Sequence, residues 1–210
     1  MMRIILFGAP GSGKGTMAEF LQRDFGFEKI STGDIIREEV KSKSPIGRKA
    51  EAIMARGDLV PDDVIIEMVG NRLAAATNRA GYILDGFPRT VLQAEALARW
   101  PADRELAVFL VVDDDEVIER LSARLTCSSC GAIFNSRTKP PRVRGVCDAC
   151  SGKLEVRVDD NPETIRQRIR VYLAETGPVI DYFRKRRTLT DIDAAGKADR
   201  VYEEIKKRVS

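Results

Sequence analysis

The sequence contains no histidine among its 210 residues. Imidazole is the usual base of Ser–His and Cys–His active sites, so nucleophilic catalysis of these two kinds is excluded. Carboxylates, lysines, arginines or a bound metal ion must therefore carry any chemistry that the chain performs.

Long apolar runs are also missing, and no segment is apolar for long enough to cross a membrane. Met1-Met2-Arg3 leads directly into a predicted strand, so we expect no signal peptide and a cytoplasmic location. The 35 basic and 32 acidic residues leave a net charge of +3, which does not demand nucleic acid. We therefore expect neither a nucleic-acid nor a membrane partner. The length allows one substantial core and an appended subdomain.

A glycine-rich stretch near the N-terminus gives the strongest functional signal. The apolar residues 4–7 predict a buried strand, and Met17, Phe20 and Leu21 are spaced for one face of a helix. Between them lies Gly8-Ala9-Pro10-Gly11-Ser12-Gly13-Lys14-Gly15-Thr16. Strand, glycine-rich turn and helix are the context of a phosphate-binding loop, where backbone N–H groups and the helix N-terminus surround an anion.

The loop is a variant of the strict phosphate-binding pattern, because Gly15 separates the lysine from the hydroxyl residue. Lys14 would add positive charge at the phosphates, and Thr16 would offer a hydroxyl near magnesium. The alternative is a glycine-rich turn with a surface lysine, which the strand–helix context disfavours.

Strand and helix patterns alternate along the chain. This alternation predicts an α/β fold with a doubly wound parallel sheet of five strands and ligands at the carboxyl ends of those strands. We expect a turn at Thr32-Gly33-Asp34, a helix that runs into Arg120 and Arg124, and a kink or break at Gly177-Pro178. The acidic triplet 113–115 is interpreted as a helix cap rather than a metal site. Further strands are predicted at 29–31, 82–85, 106–112 and 188–192, and helices at about 35–40, 46–56, 61–73 and 198–209. Gly57 is expected to cap the end of the helix at 46–56, and Thr90 and Asn161 are expected to cap the starts of two others.

Four cysteines occur as two Cys-x-x-Cys pairs in one short segment, at Cys127, Cys130, Cys147 and Cys150. Two such pairs are the arrangement by which four thiolates reach a tetrahedral zinc ion. Four thiolates leave no open coordination position, so we expect the zinc to be structural. Two disulfides or four inert thiols are the alternatives, and disulfides are disfavoured in an intracellular chain.

The segment that carries the cysteines is moderately basic, with seven basic and four acidic residues from Arg124 to Asp160. A lid over a polyphosphate and a zinc ribbon on nucleic acid are both compatible with this charge. A ribbon usually brings stacking aromatic residues or a larger basic excess, and Phe134 is the single aromatic residue here. The lid is therefore the better interpretation.

Together these motifs resemble the adenylate kinase family, in its long-lid, zinc-containing bacterial form, over essentially the whole chain. The resemblance rests on the glycine loop 8–16, Ser31-Thr32-Gly33-Asp34 with Arg37, and Leu84-Asp85-Gly86-Phe87-Pro88-Arg89-Thr90 with Gln93. It also rests on Arg120 with Arg124, on the four cysteines, and on Arg157-x-Asp159-Asp160 leading to Arg168. Where many relatives carry an aromatic–histidine pair, this chain has Phe134-Asn135.

The resemblance implies the reaction ATP + AMP = 2 ADP, with Mg²⁺, in a monomer built from three parts. Residues 1–30, 62–123 and 162–210 would form the P-loop core, residues 31–61 a helical AMP-binding subdomain, and residues 124–161 the zinc-stapled lid.

It also implies which residues bind each nucleotide. ATP would be held by Gly11, Ser12, Gly13, Lys14, Gly15, Thr16, Arg120, Arg124 and Gly196. AMP would be held by Thr32, Arg37, Asp58, Leu59, Val60, Gly86, Phe87, Pro88, Arg89, Gln93, Arg157 and Arg168. Catalysis would depend on Lys14, Arg89, Arg124, Arg157 and Arg168, and Asp85 would orient magnesium through its water ligands.

These roles are chemically reasonable, because the AMP phosphate is itself the nucleophile and the protein supplies alignment and charge. Arginine suits the task because its planar fork meets phosphate in two places.

Other functions stay open at this point. A kinase of UMP, CMP or GMP would share most of these motifs, although the donor and acceptor of the Gln93 amide and the room beside Thr32 favour adenine. A GTP-using relative is a second possibility, and a nucleotide-sensing zinc ribbon that binds DNA or RNA is a third.

Overall fold

A computed structural model describes residues 1–76 and 80–209. Its centre is a five-stranded parallel sheet, which confirms the predicted fold class. The strands in the described part of the chain are β1 (Met2–Phe7), β2 (Glu28–Ser31), β3 (Gly81–Asp85), β4 (Arg104–Val111), β5 (Arg124–Cys127), β6 (Ile133–Asn135), β7 (Leu154–Glu155) and β8 (Leu189–Asp193). The order in the large sheet is β2-β3-β1-β4-β8, so the first strand of the chain lies in the middle.

Helices cover both faces of this sheet. They are α1 (Lys14–Phe25), α2 (Thr32–Lys41), α3 (Pro45–Arg56), α4 (Asp62–Ala75), α5 (Val91–Ala98), α6 (Asp114–Ser122), α7 (Pro162–Val171), α8 (Gly177–Lys185) and α9 (Ala198–Val209). A short 3₁₀ turn at Val158–Asp160 precedes α7, and a π-helical turn at Tyr172–Thr176 joins α7 to α8. Among the described helices, none has the length and apolarity needed to cross a bilayer.

The core is divided by the central strand β1. Ile4 and Leu6 pack on one side with residues of α1 and α9, whereas Ile5 and Phe7 pack on the other with residues of α4, α5 and α8. Successive side chains of a strand point to opposite faces, so an uninterrupted apolar run is what a strand covered on both sides requires.

A second, smaller sheet forms from the cysteine-containing segment. Its strands are antiparallel in the order β6-β5-β7, and Cys127, Phe134, Cys147 and Leu154 form a small buried cluster against them. So few apolar side chains bury little surface, which is why the segment needs a further source of stability.

The prediction of a non-helical turn at Thr32-Gly33-Asp34 is wrong, because these residues begin helix α2. Ser31 precedes the helix in an extended conformation, and its hydroxyl accepts a hydrogen bond from the Asp34 N–H at 3.3 Å. A serine at this position satisfies an N–H group that the helix itself leaves unpaired.

The prediction that one helix contains both Arg120 and Arg124 is confirmed for Arg120 and wrong for Arg124. Helix α6 ends at Ser122, and Arg124 begins β5. Likewise, the interruption expected at Gly177-Pro178 falls on the π-helical turn just before it, and α8 begins at Gly177. A proline in the first turn of a helix has no N–H to lose there.

Several helix ends follow the predicted signals. Gly57 ends α3 with a left-handed φ of +81°, and the side chains of Thr90 and Asn161 cap α5 and α7. The predicted last helix, 198–209, agrees with α9.

Candidate active site

The candidate site is a cavity at the carboxyl ends of β1, β2 and β3. The strand registers place Asp85 beside both Leu6 and Ser31 at this edge of the sheet. Since parallel strands end on the same side, the loop or helix that follows each of them opens into one cavity. Lys14 from the first segment, Thr32 from the second and Gly86 from the third all line it.

The glycine loop is shaped by residues that cannot carry a side chain. Gly8 has a φ of +145°, and a Cβ there would lie 2.4 Å from the Ser12 Oγ and 2.9 Å from the carbonyl oxygen of Leu110. Gly11 and Gly13 also have positive φ angles, of +86° and +101°. The loop therefore curls tightly before α1 and presents the N-terminus of that helix, the geometry that favours an anion.

The ammonium group of Lys14 folds back over this loop. Its Nζ donates to the carbonyl oxygens of Gly8 at 2.8 Å and Ala9 at 2.9 Å. Burial lowers the pKa of Lys14, Asp85 opposes this shift, and the positive charges of Arg89, Arg168 and Arg124 add to it, so that the pKa falls to about 8. A lysine in such surroundings is stabilised as a cation by any anion that enters the cavity.

Besides Arg37, four arginines line the same cavity: Arg89, Arg124, Arg157 and Arg168. Burial, together with the charge of Arg168, lowers the pKa of Arg89 to about 10. Burial and the charge of Arg124 lower the pKa of Arg157 to about 9. These guanidinium groups disfavour one another's charge, so a polyphosphate among them would relieve the repulsion and gain bidentate hydrogen bonds.

Two carboxylates in the 3₁₀ turn before α7 hold two of these arginines, Arg124 and Arg168, in place. Asp160 accepts from Arg124 at 2.7 and 2.5 Å and from Arg168 at 3.0 Å, and its side chain is completely shielded from solvent. Asp159 adds an ion pair with Arg168 at 2.9 Å. Arg124 and Arg168 are thus held in fixed positions, as preorganised charge stabilisation requires.

The opposite wall of the cavity comes from α2 and from the segment after β3. The Thr32 hydroxyl donates to the carbonyl oxygen of Gly86 at 2.8 Å, and Arg37 pairs with Asp34. Lys29 also lies 3.2 Å from the Asp34 carboxylate. Although burial opposes the shift, Arg37 and Lys29 lower the pKa of Asp34 to about 2, so this carboxylate remains an anion that orients both cations.

Gln93, on the first turn of α5, completes this wall. Its side chain is 2% exposed and its Oε1 accepts from the backbone N–H of Arg89 at 2.8 Å. The Arg89 side chain in turn donates to the Gly86 carbonyl oxygen at 2.9 Å, and its own carbonyl oxygen accepts from Thr176 at 3.1 Å.

Some of the predicted site residues lie outside the cavity lining. Arg120 donates to the carbonyl oxygens of Ser12 and Ala194, at 3.3 and 2.8 Å, and so joins the glycine loop to the segment after β8. Phe87 is buried in the core and stacks on Trp100, with 5.9 Å between ring centroids. The predicted residues that line the cavity are Gly11, Lys14, Thr32, Arg37, Asp58, Leu59, Val60, Asp85, Gly86, Pro88, Arg89, Gln93, Arg124, Arg157 and Arg168, whereas Ser12, Gly13, Gly15, Thr16, Phe87, Arg120 and Gly196 do not.

The cysteine-containing segment lies over the cavity. Ile133 lines the cavity, and the Asn135 side chain donates to the Arg120 carbonyl oxygen at 3.1 Å. On the other side, the Lys41 ammonium donates to the Ser128 carbonyl oxygen at 3.3 Å, which connects α2 to the first cysteine pair. The glycine loop, the wall formed by α2 and α5, and the cysteine-containing segment therefore surround one cavity, whose lining has seven basic and four acidic residues.

The four cysteine sulfurs come together within 4.8 Å of one another, and all four thiols are free. The sulfurs of Cys127 and Cys150 are 3.5 Å apart and those of Cys130 and Cys147 are 3.7 Å apart. Tetrahedral ligands at about 2.3 Å from zinc would be separated by roughly 3.8 Å, so the arrangement fits a metal ion. The backbone N–H groups of Cys130 and Ser129 point at the Cys127 sulfur and lower the pKa of that thiol to about 6.

The acidic partners of the arginines were missed as functional residues. Asp34, Asp159 and Asp160 occur in the motifs that carry the family resemblance, but no role was assigned to them. Only their positions near Arg37 and Arg157 could have indicated a functional role. A carboxylate whose partners lie elsewhere in the chain is otherwise indistinguishable from a helix cap or a solvated charge.

Comparison with known proteins agrees with this geometry. The family model described as adenylate kinase matches residues 6–188. An adenylate kinase of Acidothermus cellulolyticus is 50% identical over 204 residues, which cover 95% of this chain and 94% of the relative. Adenylate kinases of Caldicellulosiruptor saccharolyticus and Thermodesulfovibrio yellowstonii are 46% and 45% identical, over 94% and 97% of this chain and 93% and 97% of the relatives.

Proposed function

This chain belongs to the adenylate kinase family, and from that membership we propose which of its residues transfer a phosphoryl group between ATP and AMP. It is a nucleoside monophosphate kinase that catalyses ATP + AMP = 2 ADP. The observation that carries the assignment of residues is the convergence of Lys14 with four arginines between the glycine loop and the wall formed by α2 and α5.

We propose that ATP lies along the glycine loop with its phosphates toward Lys14, and that Arg120 and Arg124 flank it. The backbone N–H groups of residues 11–16 and the N-terminus of α1 would surround the phosphates. Arg120 supports the loop through the Ser12 carbonyl oxygen, outside the cavity lining. Gly196 follows the segment that Arg120 contacts and would meet the adenine of ATP through its backbone.

AMP would occupy the wall built by α2, the segment 58–60 and the start of α5. Its base would lie beside Thr32 and Gln93, and its phosphate would face Arg37 and Arg89. Leu59 and Val60 line the same wall, and Gly86 and Pro88 border it. Phe87 would contribute only through its backbone, since its ring is packed in the core.

The reaction needs no nucleophile from the protein. An oxygen of the AMP phosphate attacks the γ-phosphorus of ATP, the bond to the β-phosphate oxygen breaks, and ADP leaves on each side. Lys14, Arg89, Arg124, Arg157 and Arg168 would neutralise the charge that spreads over the transferred oxygens. Their fixed positions support this role, because no reorganisation is then needed during transfer.

Magnesium accompanies ATP in this family and would supply further positive charge at the phosphates when bound. Asp85 ends β3 within reach of the loop, since a Cβ on Gly15 would lie 3.7 Å from its Oδ2. We propose that Asp85 holds the water ligands of this magnesium rather than the ion directly.

We propose that Cys127, Cys130, Cys147 and Cys150 bind one structural Zn²⁺. The spacing of the sulfurs supports a closed tetrahedral site, and the small cluster around Phe134 and Leu154 could not stabilise the segment alone. Residues 124–161 would then move as one rigid lid on the core of residues 1–30, 62–123 and 162–210, against the AMP-binding part at 31–61.

Closure of that lid would exclude water from the phosphates, since water competes with AMP for the transferred group. The phosphate charge would draw Arg124 and Arg157 down, and the bond between Lys41 and Ser128 would join lid and AMP-binding part in the closed state. We further propose that the protein acts as a cytoplasmic monomer without nucleic-acid or membrane partners.

A coupled assay of ADP formation from Mg-ATP, with AMP, GMP, CMP and UMP offered separately, tests this proposal. We expect strong preference for AMP. Turnover with another monophosphate would overturn the roles of Thr32 and Gln93, and absence of turnover with all four in folded, zinc-loaded protein would overturn the residue assignments as a whole.

A further inference from the structure

The side-chain amide of Gln93 is held at both ends. The backbone N–H of Arg89 donates to its Oε1 at 2.8 Å, and its Nε2 donates to Oδ1 of Asp62 at 2.7 Å. Gln93 lines the cavity whereas Asp62, the first residue of α4, lies behind it and outside the lining. Asp62 therefore reaches the cavity only through Gln93.

These two hydrogen bonds determine which terminal atom of the Gln93 amide is the oxygen and which is the nitrogen. A backbone N–H can only donate and an ionised carboxylate can only accept, so a turned-over amide would lose both hydrogen bonds and face two unfavourable contacts. Leaving buried donors and acceptors unpaired is costly. The Gln93 amide thus has one stable orientation.

Asp62 is itself fixed in place. Its Oδ2 accepts from the Thr90 hydroxyl at 2.8 Å, and Thr90 caps α5 by accepting from the Gln93 N–H at 3.2 Å. The carboxylate, the cap and the amide form a closed ring of hydrogen bonds between α4 and α5. Such a ring holds the amide more rigidly than a single bond would.

After these bonds are made, the amide still has one N–H on Nε2 and one lone pair on Oε1 for a ligand. Adenine offers an acceptor at N1 and a donor at the 6-amino group. Hypoxanthine and guanine offer the reverse, a donor at N1 and an acceptor at O6. An amide that is free to turn over could pair with either edge, whereas a fixed one matches only one of them.

We propose that Asp62 is a positioning residue that fixes the Gln93 amide in the orientation that selects AMP over 6-oxopurine monophosphates. The inference rests on the proposed role of Gln93 at the acceptor base. Asp62 takes no part in phosphoryl transfer, and it affects the choice of acceptor base only through the orientation of Gln93.

The test compares AMP with IMP as phosphoryl acceptors, because the two differ only at the edge that the amide would read. We expect Asp62→Ala to lower kcat/KM for AMP about tenfold, mainly through KM, because the amide loses a charge-assisted bond and gains freedom to turn. The kcat/KM for IMP should fall much less, so that the AMP-over-IMP ratio drops by about tenfold.

Two controls separate positioning from helix stability, since an acid in the first turn of α4 also stabilises that helix. Asp63→Asn removes a charge from the same turn at an exposed residue and should keep the wild-type ratio. In Asp62→Asn, the side-chain oxygen can still accept from Gln93 Nε2 and the side-chain N–H can donate to the Thr90 hydroxyl oxygen. This variant should therefore keep most of the wild-type AMP-over-IMP ratio.

A double variant provides the sharpest comparison. If Asp62 acts through Gln93, adding Asp62→Ala to Gln93→Ala should leave the ratio of the single Gln93→Ala variant unchanged. A further fall, an unchanged ratio in Asp62→Ala alone, or an equal loss in Asp63→Asn would each overturn the inference. Should Asp62→Ala not fold, Asp62→Ser carries the same expectation. Failure of wild-type protein to convert AMP would instead overturn the proposed function.

Discussion

Asp160 accepts two hydrogen bonds from the Arg124 guanidinium, at 2.7 and 2.5 Å, with its carboxylate fully shielded from solvent. Arg168 binds the same carboxylate at 3.0 Å, so a single anion fixes two of the arginines that face the cavity. Arg124 begins the cysteine-containing segment and Arg168 lies on α7. Asp160 therefore connects the cysteine-containing segment to α7 through its bonds to these two arginines. It lies outside the cavity lining and acts only through these partners.

We expect Asp160→Ala to reduce both stability and turnover. The largely buried Arg124 loses its counter-ion and Arg168 keeps only Asp159, which should cost about 3–5 kcal/mol of unfolding free energy. Turnover should fall about a hundredfold or more, because the arginines lose their fixed geometry. Urea unfolding and initial rates measure the two effects. Glu155→Ala, which breaks the exposed pair with Lys153, is the control and should change little. Wild-type turnover in Asp160→Ala would show that the arginines are oriented without this anion.

Lys14→Met should abolish turnover while making the free protein more stable near neutral pH. In the folded protein the pKa of Lys14 is lowered from 10.5 to about 8. Between these values the unfolded chain binds a proton that the folded protein does not, so this group makes stability rise with pH across that window. The advantage of the variant should therefore be largest below about pH 8 and shrink toward pH 10.5.

Unfolding free energies across this pH window test the prediction, with the surface variant Lys207→Met expected to parallel wild type. A stability difference between Lys14→Met and wild type that is constant with pH would contradict the lowered pKa of Lys14.

Removal of the metal should unfold the cysteine-containing segment before it affects the core. A strong chelator, or Cys127→Ser, should lower the melting temperature clearly, while initial rates measured at low temperature fall much less. Metal analysis should find one zinc per chain in wild-type protein, and re-addition of zinc should restore the melting temperature of the chelated protein but not of the variant. An unaltered melting temperature after complete metal loss would refute a structural role.

Substitution of two glycines by alanine should have opposite effects. Gly8→Ala places a methyl group 2.4 Å from the Ser12 Oγ and 2.9 Å from a backbone oxygen, at a φ of +145°, so it should destabilise the fold by about 1–3 kcal/mol and weaken ATP binding. Gly177→Ala meets no described atom within 4 Å and lies in a helix, so it should stabilise by about 0.5–1 kcal/mol. Thermal unfolding and ATP titration measure both. Equal effects would show that loop geometry does not restrict Gly8.

Features that depend on neighbours in sequence could be predicted well. The glycine loop, the cysteine pairs, the apolar strands and the caps at Gly57, Thr90 and Asn161 each carry their signal within a few residues. The motifs also indicated which cations would gather at the strand ends, and the structure places Lys14 and Arg89 in one cavity.

Features that depend on distant partners could not be predicted in the same way. In the sequence, Asp62 lies at the start of a predicted helix and Asp160 lies just before another. Only the folded chain brings Asp160 to Arg124 and Asp62 to Gln93. Arg124 was placed in a helix because the pattern of α6 has no marked stop, whereas pairing with β6 draws it into a strand.

The order of strands in the large sheet has a consequence for how the protein is made. Strand β1 is synthesised before both of its neighbours in the sheet, β3 and β4. The later neighbour, β4, ends at Val111. At about 5–20 residues per second, the roughly 100 intervening residues take about 5–20 s to synthesise. The apolar β1 has neither neighbour until β3 is made, and it lacks β4 for the whole of that time. The nascent chain therefore exposes β1 and the glycine loop that follows it before the central sheet can be completed, and this interval is when a chaperone would have most to protect.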